Sequence, residues 1–195
     1  SGMLMANYVF YGKKAIPSYH FENAKVIVSL GADFLGTWLS PVEFSNQYAQ
    51  NRKVTGTKPS LSKHIQFESM ISMTGSNADE RYVHKPSETG TIALAILSKL
   101  GMGMAAPKIT DEKLLKAIDK TVAALNAHKG EALVVCGSND ANIQSVVNAI
   151  NEQIGANGKT INWGMTSNYR NGIDADMNKL VDDMNAGTIG AVLIS

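Results

Sequence analysis

Apolar residues gather in short runs that hand over to glycine and small polar residues and then to stretches of helical spacing. The clearest run is Ala24-Lys25-Val26-Ile27-Val28-Ser29-Leu30, followed by Gly31-Ala32-Asp33 and a stretch reaching Arg52. A second is Ala132-Leu133-Val134-Val135-Cys136, followed by Gly137-Ser138-Asn139-Asp140 and a stretch reaching Ile154. A third, Gly190-Ala191-Val192-Leu193-Ile194-Ser195, has the run but no loop after it. Continuous apolar runs of this length read as strands buried on both faces of a parallel sheet. In such sheets ligands sit in the loops that follow the strands.

The rest of the pattern fills in the elements. Residues 1–23 read as an irregular arm with Pro17 and several aromatics. Pro41 suits the first turn of a helix carrying Val42, Phe44 and Tyr48 on one spacing. Residues 53–63 read as a surface loop, 64–72 as a strand, 74–79 as a turn and 81–84 as a short strand. Thr91 to Leu100 reads as an apolar helix ended by Gly101. Thr110 is the expected N-cap of an amphipathic helix bearing Leu114, Leu115, Ile118, Val122 and Leu125. After the 131–136 strand come a helix over 140–154, a strand over 159–163 and a polar loop over 164–173. A helix over 174–186 with Gly187 as its C-cap and a last strand over 189–194 complete the chain. The alternation predicts an α/β fold: a parallel, doubly wound sheet in a three-layer α/β/α domain. The expected division is an arm, 1–23, and one α/β domain, 24–195. A chain closing on an apolar strand reads as a fragment of a larger protein.

The 195 residues are 44% hydrophobic and 18% charged, enough for a sizeable core. A net charge of +1 gives no electrostatic case for nucleic acid or an anionic membrane. No apolar stretch approaches the roughly 20 residues of a membrane span, and no signal peptide is visible. The single cysteine, Cys136, excludes an internal disulfide and an all-cysteine cluster or zinc site within this chain. His20, His64, His84 and His128 lack metal-ligand spacing and read as structural, and no catalytic Ser/His/Asp pattern is present. No catalytic residue and no metal ligand is assigned.

Two loops are candidates for an anionic ligand. Gly31-Ala32-Asp33 allows close backbone approach, but the Asp33 carboxylate repels phosphate, and the competing reading is a loop cap. Gly137-Ser138-Asn139 offers N–H, hydroxyl and amide donors at a helix start, and the competing reading is an ordinary N-cap by Ser138 or Asn139. Neither loop is a dinucleotide fingerprint or a P-loop. The scattered methionines read mainly as core filling. Phe34, Leu35, Trp38 and Leu39 stand in a loop without a periodic core face, as do Met102 and Met104, and both groups are expected to form exposed docking surfaces.

The segments Ala24-Lys25-Val26-Ile27-Val28-Ser29-Leu30-Gly31-Ala32-Asp33-Phe34-Leu35-Gly36-Thr37-Trp38 and Phe67-Glu68-Ser69-Met70-Ile71-Ser72-Met73-Thr74-Gly75-Ser76-Asn77-Ala78-Asp79 carry a more specific signal. With Lys85-Pro86-Ser87-Glu88-Thr89-Gly90 and Asp182-Asp183-Met184-Asn185-Ala186-Gly187, they resemble the molybdopterin-oxidoreductase-like part of the large iron–sulfur subunit of alternative complex III. That complex is a bacterial quinol:electron-carrier oxidoreductase, distantly similar to the dimethyl-sulfoxide-reductase class of molybdoenzymes. In that class an α/β domain holds one guanine dinucleotide arm of the cofactor. The resemblance places the vestiges of that site at Gly31, Ala32, Asp33, Glu68, Lys85 and Thr89, and the Gly137, Ser138 and Asn139 loop joins them as a candidate cofactor-binding segment. Three signals are altered. Asp33-Phe34 stands where the class has asparagine-proline, Met70 where it has arginine, and Thr89 where it has the guanine-reading aspartate.

The resemblance therefore implies a cofactor-free, non-catalytic domain of a redox subunit. The iron–sulfur clusters would lie in another domain of the same polypeptide, and haem and quinol in partner subunits. The complex would sit at the outer, periplasmic face of the cytoplasmic membrane. Two alternatives remain: a fragment of a true molybdopterin oxidoreductase that binds the guanine dinucleotide, and a free-standing nucleotide- or sugar-phosphate-binding α/β protein.

Overall fold

A computed structural model describes residues 1–54, 56, 61–103, 105–167 and 171–193. In it the chain forms a three-layer α/β/α domain about a four-stranded, wholly parallel sheet. The strands are β2 (Val26–Leu30), β3 (Lys63–Glu68), β4 (Glu80–Val83) and β5 (Ala132–Cys136), side by side in the order β4-β3-β2-β5. Every residue of β2 and β5 is buried, as continuous apolar runs require. Strand order reverses between β2 and β5, so the loops after these two strands diverge and leave a crevice at the sheet's C-terminal edge.

The helices form where capping and periodicity favour them. Helix α2 (Pro41–Arg52) starts on Pro41 and turns Tyr48 toward the sheet, where its hydroxyl lies 3.1 Å from His64 Nδ1. The four-residue α3 (Met73–Ser76) is capped by Ser72 Oγ, which accepts from the Gly75 N–H at 2.9 Å. Helices α4 (Thr89–Lys99), α5 (Glu112–Ala127) and α6 (Ala141–Gln153) bury Ile92, Ile96, Leu114, Ile118, Leu125, Val147 and Ile150 in one core. The N-cap of α5 is Asp111 rather than Thr110, and that of α6 is Asp140 rather than Ser138 or Asn139. Each carboxylate accepts two backbone N–H groups, more than a hydroxyl one residue earlier would reach. Helix α7 (Asp174–Asn185) stops before Gly187 (φ +70°) and buries none of its residues.

The arm expected over 1–23 is ordered structure. Helix α1 (Gly2–Tyr11) packs on α6, burying Leu4 and Ala6, with Asn148 Nδ2 donating to Asn7 Oδ1 at 2.9 Å. Strand β1 (Ile16–Tyr19) pairs antiparallel with β6 (Ile161–Ser167) in a separate two-stranded ribbon, which tolerates Pro17 because both strands are edges. Segment 159–163 thus leaves the parallel sheet instead of extending it, and residues 164–167, expected in a loop, belong to β6, while 168–170 of that loop lie outside the described residues. Residues 189–193 form no strand: Val192 is exposed and Leu193 entirely so, while 194 and 195 lie outside the described residues.

The flank of β5 away from β2 shows why the sheet stops. The strand's period of two turns residues 132, 134 and 136 toward this flank. Asn151 of α6 accepts from the Val134 N–H (3.0 Å) and donates to the Val134 carbonyl (2.8 Å). Gln144 Nε2 donates to the Cys136 carbonyl at 3.0 Å, and Thr160 Oγ1 to the Ala132 carbonyl at 2.8 Å. Side chains thus make most of the bonds that a fifth strand would make.

Candidate functional site

The loops after β2 and β5 are stitched together at the switch point. The Gly31 N–H donates to the Phe67 carbonyl (2.7 Å), and the Gly137 N–H to the Leu30 carbonyl (3.0 Å). Gly31 has φ +69°, a conformation that suits glycine, and a Cβ on Gly137 would collide with the Gly31 carbonyl. Ser29 Oγ closes the first loop by accepting from the Ala32 N–H and donating to the Ala32 carbonyl.

Asp33 acts within this loop as a cap. Its Oδ1 accepts from Thr74 Oγ1 (2.8 Å) and the Thr74 N–H (3.0 Å), and its carbonyl accepts from the N–H groups of Gly36, Thr37 and Trp38. The carboxylate thereby ties the β2 loop to α3, and Ala32 is buried beneath it.

Glu68 ends β3 as a buried acid. It accepts from Ser72 Oγ (2.6 Å), the Ser72 N–H (3.3 Å) and Gln66 Nε2 (3.1 Å), and it pairs with Arg81 Nε of β4. Burial pushes its pKa up, but the bonds from Arg81, Ser72 and Gln66 outweigh burial and hold it below the ordinary glutamate value. A Cβ on Gly75 would strike this carboxylate, so the glycine is a steric requirement. Upstream on the same face of β3, Gln66 Oε1 lies 3.3 Å from His64 Nε2, giving a buried polar line from Tyr48 to Arg81.

Five of the nine candidate cofactor-binding residues, Gly31, Glu68, Thr89, Gly137 and Ser138, line one cleft of about 230 Å³. The others do not. Ala32 and Asp33 are absorbed into the loop. The Lys85 N–H donates to Glu88 Oε2 (2.8 Å) in a capping arrangement before α4. Asn139 Oδ1 accepts from the backbone nitrogens of Ser1 and Gly2. Residues not picked out from sequence complete the cleft, chiefly Ser69 and His84. The His84 ring is 7% exposed; its Nδ1 lies 2.7 Å from the Lys85 carbonyl, and its Nε2 has no hydrogen-bond partner.

These residues do not fit a guanine dinucleotide arm. The cleft is smaller than the about 300 Å³ at the lower end of drug-sized pockets. Its acid is neutralised from within by Arg81, and Met70, where a dinucleotide-gripping arginine is sought, is an exposed apolar side chain. Among the described residues no group of three or more His, Cys, Asp or Glu could hold a metal ion.

The expected docking loop is largely core. Phe34 is fully buried and stacks on Phe21 at 4.4 Å. Leu35, Trp38 and Leu39 are half-buried against the core, with Trp38 at 5.3 Å from Tyr19 and 5.7 Å from Phe44. The three N–H groups gathered by the Asp33 carbonyl fold the loop back over the aromatics. Trp38→Ala is therefore expected to cost about 1–3 kcal/mol in urea unfolding, part of the ~3–5 kcal/mol of a fully buried aromatic. A loss below about 0.5 kcal/mol, the scale of an exposed surface site, would show that the loop does not pack. Met102 is 45% exposed; Met104 lies outside the described residues.

Exposed apolar surface appears elsewhere. Met70, Ile71 and Met73 project from the β3–α3 segment, and Met177, Val181 and Met184 share one face of α7. These methionines are surface groups, contrary to core filling. Among the described residues no helix is long and apolar enough to cross a membrane. Compared with known proteins, the chain matches no protein-family model, and no curated protein matches it.

Proposed function

We propose that this chain is a structural, cofactor-free domain of the iron–sulfur subunit of a membrane-associated quinol:electron-acceptor oxidoreductase. In this reading it braces the cluster-bearing domain of the same polypeptide and docks the haem- and quinol-binding subunits at the outer face of the membrane. The supporting observation is the fate of the two acids at the strand ends. A dinucleotide-binding domain keeps polar groups at this edge free for its ligand. Here Asp33 is bonded to Thr74, and Glu68 to Ser72 and Arg81, so both clamp the chain to itself. The clamped segment holds Met70, Ile71 and Met73 out to solvent, a surface suited to a protein neighbour.

Molybdenum and pterin analysis of the purified full-length protein, together with calorimetry of this chain against GDP, tests the proposal. The expected result is less than about 0.1 equivalent of either component and no GDP binding tighter than millimolar. Stoichiometric pterin, or micromolar GDP binding, would establish the molybdopterin alternative instead. The free-standing nucleotide- or sugar-phosphate-binding alternative is favoured by one observation, the cleft at the switch point.

A further inference from the structure

We infer that the pocket between the β1–β6 ribbon and the start of α2 binds a small amphipathic cation, an apolar body carrying an amine, with Glu43 as the group that holds the amine. This goes beyond the scaffold reading, and the pocket shares no lining residue with the switch-point cleft.

The pocket has a volume of about 320 Å³, within the range of small-molecule sites. Strand β1 contributes Ile16, Pro17 and Tyr19 to its walls, and the entry to α2 contributes Leu39 and Phe44. The Tyr19 and Phe44 rings meet edge to face at 6.3 Å, so the aromatic walls are fixed against each other. The Tyr19 hydroxyl is directed to the Met3 sulfur at 3.9 Å. Walls of this kind accept an apolar or aromatic body.

The backbone at the pocket is strained. Leu39 has φ +53°, and among the described residues no other non-glycine has a positive φ. Left-handed backbone is unfavourable for a leucine, and residues held in it cluster at ligand clamps. Leu39 lines both this pocket and the neighbouring hollow that Trp38 lines, so its side chain is a partition between the two.

Charge selects the ligand. Glu43 is the only charged side chain lining the pocket. It is exposed, its Oε1 accepts from Gln47 Nε2 at 3.2 Å, and no cation pairs with it among the described residues. The Ser18 and Ser40 hydroxyls beside it can donate or accept, and Ser40 does not cap α2 with its side chain. The positive end of α2, which favours an anion, is already met by Glu43 in the first turn. An ammonium group would make a charge-assisted bond to this carboxylate, with its apolar body against the rings. An anionic ligand would face the same carboxylate and be repelled.

Nuclear magnetic resonance on the full chain tests this, with phenethylamine as the probe, phenethyl alcohol as its neutral counterpart and phenylacetate as the anion. Saturable shifts of the Ser18, Ser40 and Glu43 amides are expected, with an amine Kd on the order of millimolar or tighter for a ligand of about nine heavy atoms. The alcohol should bind at least about threefold more weakly and phenylacetate at least about tenfold. Glu43→Gln should lower amine affinity about tenfold and leave alcohol affinity within about twofold. Leu39→Gly relieves the backbone while deleting the partition, and should weaken amine and alcohol alike by at least about threefold. No saturation by the amine, phenylacetate binding as tightly as the amine, or unchanged amine affinity in the exposed-site variant Glu43→Gln would each overturn the inference.

Discussion

Replacing Asn151 with leucine is expected to destabilise the fold by about 2–5 kcal/mol and to lower Tm by roughly 5–15 °C. Leucine has nearly the shape of asparagine but cannot bond. The Val134 N–H and carbonyl would both be stranded in a buried flank where no water replaces the lost amide. Each stranded group costs about 1–3 kcal/mol. Asn142→Leu, on the exposed side of the same helix, provides the comparison and should stay within about 0.5 kcal/mol of the parent. Urea unfolding measures the difference, and amide exchange at Val134 localises it: slow in the parent, far faster in the variant. A loss below about 1 kcal/mol would mean that another group takes over the strand's outward bonds.

Acid should weaken the domain well before its carboxylates titrate. Burial pushes the pKa of His64 down to about 4, against an ordinary 6.5, because the ring is enclosed between Tyr48, Phe34 and Gln66. The unfolded chain therefore binds a proton in this interval that the folded chain refuses, and stability falls as pH drops from 6.5 to 4. The loss from this one group is about 3 kcal/mol between pH 7 and pH 4. Glu68 and Asp79 work in a lower window. Both sit below their ordinary values, burial being outweighed by bonds from Arg81 and Ser72 in one case and Arg52 in the other, so their contribution disappears only as pH falls further. His64→Gln keeps a donor and an acceptor without the titration, and should flatten the stability curve between pH 6.5 and 4. An unchanged slope in that variant would assign the acid sensitivity to another group.

The central strands were legible because a strand buried on both faces must be apolar throughout, as Val26–Leu30 and Ala132–Cys136 are. The amphipathic α5 and the Pro41 start of α2 were legible for equally local reasons. What escaped depends on partners distant in sequence. Strand β1 is a strand only because Ile161–Ser167 comes to lie beside it, and α1 packs on α6, which begins only at Ala141. In the cleft, the glycines announced a close approach, whereas Arg81 reaches Glu68 through the register of β3 against β4, which no local pattern encodes. Phe34 was misplaced for the same reason: its core partner, Phe21, comes from the segment read as an arm.

A sheet in which one outer strand already has its outward groups satisfied behaves like a monomer with a stopper on one end. Asn151, Gln144 and Thr160 occupy both groups of Val134 and the carbonyls of Ala132 and Cys136, so an incoming strand finds little of the β5 flank to bond, and hydrogen-bonded growth of this sheet is directed to the β4 side. Units with one reactive end make pairs and then stop; they do not run on into fibres. A neighbour on the β5 side is then met mainly by side-chain packing, and edge-to-edge growth from that strand is disfavoured by the fold itself.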